Sequence, residues 1–76
     1  MTPSERVLDE RGRPCPLPVI ALGRARRSLQ AGDVLRLVAD DPVVLTDVPA
    51  WCSMVGARIL AQESDGPTHT FVIRLG

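Results

Sequence analysis

The chain has no lysine and no tyrosine, one histidine (His69), one tryptophan, one phenylalanine and two cysteines, Cys15 and Cys52, among its 76 residues. Each scarcity narrows the chemistry open to it. Schiff-base and tyrosyl-radical mechanisms have no residue to use, and a Ser-His-Asp arrangement has a single base to draw on. Two cysteines are too few for a disulfide scaffold or a structural zinc site. No usual ligand spacing links Cys15, Cys52 and His69, so neither a metal nor a cofactor is expected. With aromatics at 3%, aliphatic side chains must fill the core. No apolar run approaches the roughly 20 residues needed to cross a bilayer, and Met1 to Asp9 lacks the apolar block of a signal peptide. The expected setting is the cytoplasm, with no membrane contact.

What is present suits one domain spanning residues 1–76: 45% of the residues are hydrophobic, and a chain of this size buries about 60% of its unfolded surface around one modest core. Nine basic and nine acidic residues cancel, which leaves the chain without the electrostatic footprint of a direct nucleic-acid binder. The charge is unevenly placed, however. Residues 1–38 hold seven Arg against four acids, and residues 39–76 hold two Arg against five. Such polarity can orient a protein partner.

Along the chain, Glu5 to Asp9 reads as a short strand that ends in the polar, glycine-containing run Glu10 to Pro14. Pro16 suits a first helical position, which would make Cys15 the N-cap. The helix is expected to reach about Ala31 and stop at Gly32. Its buried stripe is Pro18, Leu22, Ala25 and Leu29. Leu17, Ile20, Arg24 and Arg27 fall on the opposite side, where two aliphatic residues facing water form a candidate docking patch. Val34 to Ala39 reads as an inner strand. Asp40-Asp41-Pro42 looks like a helix start, and the second helical segment extends to about Val55. Pro49 is expected to divide it, with a restart near Asp47-Val48-Pro49. Gly56 ends that helix, Ala57 to Gln62 forms a strand, Ser64 to Pro67 a turn, and Thr68 to Leu75 a closing strand. The order β-α-β-α-β-β implies an α/β two-layer sandwich: a mixed sheet of about four strands with both helices on one face.

Of the two thiols, Cys15 has the surroundings of a reactive group. A helix N-terminus stabilises a thiolate, and Arg11 and Arg13 stand two to four residues away. Pro16 and Pro18 stiffen the site and each remove an amide donor, which leaves the amides of Leu17 and Val19 to hold an anion. An inert, packed Cys15 is equally compatible with the spacing. Cys52, in mid-helix beside Trp51, reads as a core residue. His69 shares strand parity with Phe71, Ile73 and Leu75, which places it near the apolar face of the sheet. Asp40, Asp41 and Asp47 read as helix caps.

The series Leu8-Asp9, Gly12, Cys15-Pro16-Leu17-Pro18-Val19, Gly32-Asp33, Ala39-Asp40-Asp41-Pro42, Asp47-Val48-Pro49, Cys52 and Asp65-Gly66 resembles the TusA (SirA-like) sulfur-carrier family over nearly the whole chain. The resemblance implies a sulfurtransferase, and the chain is expected to act as a monomer. Its motif cysteine, here Cys15, would accept a persulfide sulfur from a cysteine desulfurase or a rhodanese and pass it to an acceptor protein. Two departures stand out: some members have Arg directly before the cysteine, where this chain has Pro14 with Arg13 one residue earlier, and lysine is absent altogether. A thiol-based redox or regulatory module, or a plain interaction protein, are the alternatives that the residues alone leave open.

Overall fold

A computed structural model describes residues 4–76. The elements are β1 (Glu5–Glu10), α1 (Leu17–Arg27), β2 (Val34–Ala39), α2 (Val44–Val55), β3 (Arg58–Asp65) and β4 (Thr68–Arg74). The four strands form one mixed sheet in the order β1-β2-β4-β3, with β1 parallel to β2 and the other two pairings antiparallel. The expected α/β two-layer sandwich and its element order are therefore what the chain adopts.

Strand alternation decides which side chains meet the helices. Leu8, Leu37 and Phe71 form one cross-sheet row, and Leu35, Ile73 and Ile59 form another. Leu22 and Ala25 of α1 and Val44, Val48, Trp51 and Cys52 of α2 pack on these rows to make the core. Pro18 and Leu22 are buried and Leu29 packs against the core, as the helical stripe predicts. On the other face of the sheet, Val7, Arg36 and Val72 share a row in which Val7 is 59% exposed.

The structure corrects three boundaries. α1 stops at Arg27, short of Ala31, because the residues after it have other partners: the Gln30 amide donates to Asp33 Oδ2 and the Gly32 amide to the Leu75 carbonyl. Pro49 does not divide α2, which is one helix from Val44 to Val55. Buried residues on both sides of the proline, Val44 and Val48 before it and Trp51 and Cys52 after it, pack into one core and carry the helix across the single hydrogen bond that Pro49 removes. β3 runs on to Asp65 beyond the expected Gln62, since it pairs with β4 as far as Thr68 and a bulge between Ile59 and Ala61 absorbs the extra residue. Gly56, with φ of 75°, caps α2 in the left-handed region as expected.

Phe71 lies at the centre of the packed face with no exposure. Phe71→Ala is expected to destabilise the fold by about 3–5 kcal/mol, whereas Val7→Ala on the open face changes it by less than about 0.5 kcal/mol. Urea unfolding of both variants measures the difference, and equal midpoints would mean that the wrong face of the sheet has been taken as the core.

Candidate functional site

The parallel pairing of β1 and β2 brings the ends of both strands, Glu10 and Ala39, to the same edge of the molecule. The loop that follows β1 therefore runs beside the one that follows β2, and carboxylates of the second hold amides of the first. Gly12 N–H donates to both oxygens of Asp40 at 2.9 Å, and Cys15 N–H donates to Asp41 Oδ2 at 2.8 Å. The other oxygen of Asp41 accepts Val43 N–H at 2.9 Å just ahead of α2. Gly12 has φ of 79°, a backbone region in which glycine is favoured, and this lets its amide turn toward Asp40. The loop is thus fixed at two amides, with Cys15 exposed at its far end.

The cysteine sulfur is itself engaged. Sγ–H donates to Asp47 Oδ2, in the first turn of α2, at 3.0 Å. This contact reverses the electrostatics expected from the sequence. Arg11 is bound to Asp9 through both carboxylate oxygens at 2.8 Å, and it brings the Asp9 carboxyl down to about 2. Arg13 lies 3.8 Å from Glu10. The groups that act on the Cys15 thiol are acids instead. Its hydrogen bond to Asp47 is lost on ionisation, partial desolvation adds to this, and the charges of Asp47 and Asp41 work in the same direction, so the thiol is pushed up from its ordinary value. The arginines are paired with Asp9 and Glu10, and the groups set against the thiol are carboxylates.

The helix entry differs as well. Pro16, one residue beyond Cys15, occupies the cap of α1 and makes no side-chain capping bond. Of the two amides expected to hold an anion, that of Leu17 is taken by the Pro14 carbonyl at 3.0 Å. Val19 N–H has no acceptor among the described residues. Asp40, Asp41 and Asp47, read from the sequence as helix caps, are the residues that build the cysteine's surroundings. Only Asp41 also meets an amide at the start of α2. The spacings 12–40, 15–41 and 15–47 are tertiary, and nothing in a local pattern marks them.

The remaining candidates sort clearly. Leu17 and Ile20 are each 42% exposed, as the helical phase predicts, and Arg24 and Arg27 are exposed on the same helix. Cys52 is a core residue whose thiol is pushed up by burial. His69 is buried on the apolar side of β4, with Nδ1 2.7 Å from the Ser64 hydroxyl. Among the described residues no group of three or more His, Cys, Asp or Glu side chains is placed to hold a metal ion.

The amides of Cys15 and Val43 hold the Asp41 carboxyl below its ordinary value. A depressed folded value means that its contribution to stability is present above the unfolded carboxyl pKa and is lost as pH falls through the folded one. Asp41→Asn is therefore expected to be less stable than the wild type near neutrality, with the gap closing below about pH 4. Urea titrations at the two pH values test this, and a gap that persists in acid would remove the charge from the explanation.

The site thus consists of one exposed, loop-borne thiol held by downstream carboxylates, and the family comparison covers the fold that carries it. The model of the family described as Sulfurtransferase TusA matches residues 6–75, and the chain belongs to that family.

Proposed function

We propose that this chain is a sulfur carrier that accepts a persulfide sulfur on Cys15 from a cysteine desulfurase or a rhodanese and relays it to an acceptor protein. In this reading the 76 residues act as one monomeric domain in the cytoplasm. The observation that carries it is the exposed Cys15 on an anchored loop, in a chain of the TusA family whose other cysteine is buried. In the loading step the Cys15 sulfur attacks the outer sulfur of the donor persulfide. The donor's S–S bond breaks, an S–S bond to Cys15 forms, and the proton from Cys15 passes to the donor's departing thiolate. Donor thiol and Cys15 persulfide are the products, with no net redox change. Delivery is the same exchange with the roles reversed. The redox-sensor alternative finds less support, because the family that covers residues 6–75 is one of sulfurtransferases.

Docking is assigned to α1. A shallow groove between β1 and α1 is lined by Leu17 and Ile20 together with Arg6, Arg13, Arg24 and one acid, Glu10, so that cations outnumber acids around the aliphatic pair, and Arg27 lies one turn beyond Arg24. That surface fits a partner with apolar and acidic groups. Pro16 and Pro18 set the direction in which the helix leaves the cysteine, and Arg11 and Arg13 stay in the loop as ion-pair partners.

Incubation with a desulfurase and cysteine, or with thiosulfate and a rhodanese, followed by intact mass measurement and site mapping, tests the chemistry. The wild type and Cys52→Ser are expected to gain one sulfur atom, and Cys15→Ser none. An unmodified wild type, or a Cys15→Ser variant that still loads, would sink the proposal. Leu17→Glu and Ile20→Glu are each expected to slow protein-to-protein transfer by about five- to tenfold, an interface loss of about 1 kcal/mol. Their unfolding midpoints should stay close to that of the wild type, and variants that unfold would place these residues in the core.

A further inference from the structure

The contact between Cys15 and α2 has a consequence for when the sulfur can react. A thiol reacts through its thiolate, and every charge near this sulfur is either acidic or already paired. Asp47 from α2 accepts the S–H at 3.0 Å, and Asp41, from the segment after β2, sits on the Cys15 amide. Asp40 of the same segment holds Gly12. In the cysteine's own loop Arg11 is bound to Asp9, and Arg13 faces Glu10 of β1. His69 of β4 is paired with Ser64. On α1 the first charged residue is Arg24, more than two turns beyond Cys15. No free cation of the described residues is therefore set against the sulfur.

We propose that Asp47 is a proton latch: in the free chain its carboxylate keeps Cys15 in the S–H form, so that the exposed sulfur is slow toward small electrophiles and oxidants. The inference rests on the carrier reading, whose reacting atom it regulates. Its logic is kinetic selectivity. A carrier whose cysteine must be exposed to be reached by other proteins is open to every diffusing oxidant as well, and exposure cannot be given up. Protonation can be controlled instead. When the carboxylate is neutralised or withdrawn, the thiol returns toward ordinary cysteine acidity and a larger fraction of it ionises, the proton leaving Sγ for solvent or a nearby base. A docked donor that places a basic group beside Asp47 supplies that condition, whereas a diffusing oxidant supplies none.

The test follows alkylation of Cys15 by iodoacetamide against pH, read by mass spectrometry so that Cys52 is counted separately. Loss of one neighbouring carboxylate is expected to lower the midpoint for Asp47→Asn by about one unit. A tenfold gain in thiolate is partly offset by weaker intrinsic nucleophilicity, leaving alkylation near neutral pH about threefold faster than in the wild type. Asp47→Glu, which keeps the charge, is expected to stay close to the wild type. Superimposed profiles for the wild type and Asp47→Asn would overturn the latch. A second measurement needs no variant: the wild-type midpoint is expected to be higher in the folded chain than in the same chain unfolded in urea, and an equal or lower folded value would overturn it too. Sulfur loading on Cys15 and the alkylation profile are separate readouts, so failure of the latch leaves the carrier reading standing, and failure of loading leaves the protonation result intact.

Discussion

The architecture depends on one constraint, the parallel pairing of β1 with β2. Two consecutive parallel strands cannot be joined by a tight turn, so the chain must cross back over the sheet, and α1 is that crossover. From this the rest follows. Both strands finish at the same edge, the loop entering α1 and the segment entering α2 lie side by side, and carboxylates at 40, 41 and 47 come within reach of residues 12 and 15. An antiparallel β1 would have sent those two loops to opposite ends of the sheet.

The uneven distribution of charge along the sequence becomes a spatial division around the sulfur. Arginines from the first half border the groove beside α1, and acids from the second half surround the cysteine loop. The acids have two effects that oppose each other. They fix the loop by accepting amides that a turn of this shape would otherwise leave to water, and they disfavour the ionised form of the group the loop displays. Asp40 acts only on the loop and Asp47 only on the sulfur, and Asp41 joins the two, holding the Cys15 amide while its charge disfavours the thiolate.

Much of the fold was legible because its signals are local. The nearly all-apolar run at Val34–Ala39, the alternation along Thr68–Arg74 and the 3.6-residue stripe of Pro18, Leu22 and Ala25 each report burial through spacing alone. The exposure of Leu17 and Ile20 followed from the same periodicity. What local reasoning misjudged was a set of endings and a sign. It divided α2 at Pro49 because it could not see that residues before and after the proline pack into one core, and it ran α1 past Arg27 because the competing bonds of Gln30 and Gly32 come from Asp33 and Leu75. At the site, the arginines two and four residues from Cys15 were visible in the sequence, whereas the acids that act on it lie 26 and 32 positions downstream. Tertiary contacts of that separation have no signature in a single chain, so the cysteine was found and its surroundings were not.

The sheet also has a second end. Glu5, Val34, Arg74 and Arg58 align across it, and the Leu75 amide and carbonyl are tied to Asp33 and Gly32 there. The six residues of β2 separate this edge from the cysteine edge by about 20 Å. A label, resin or surface attached at Gly76 would therefore be anchored at the foot of the sheet and would present the thiol outward. Immobilised chains would stand in a common orientation, each displaying a single reachable sulfur.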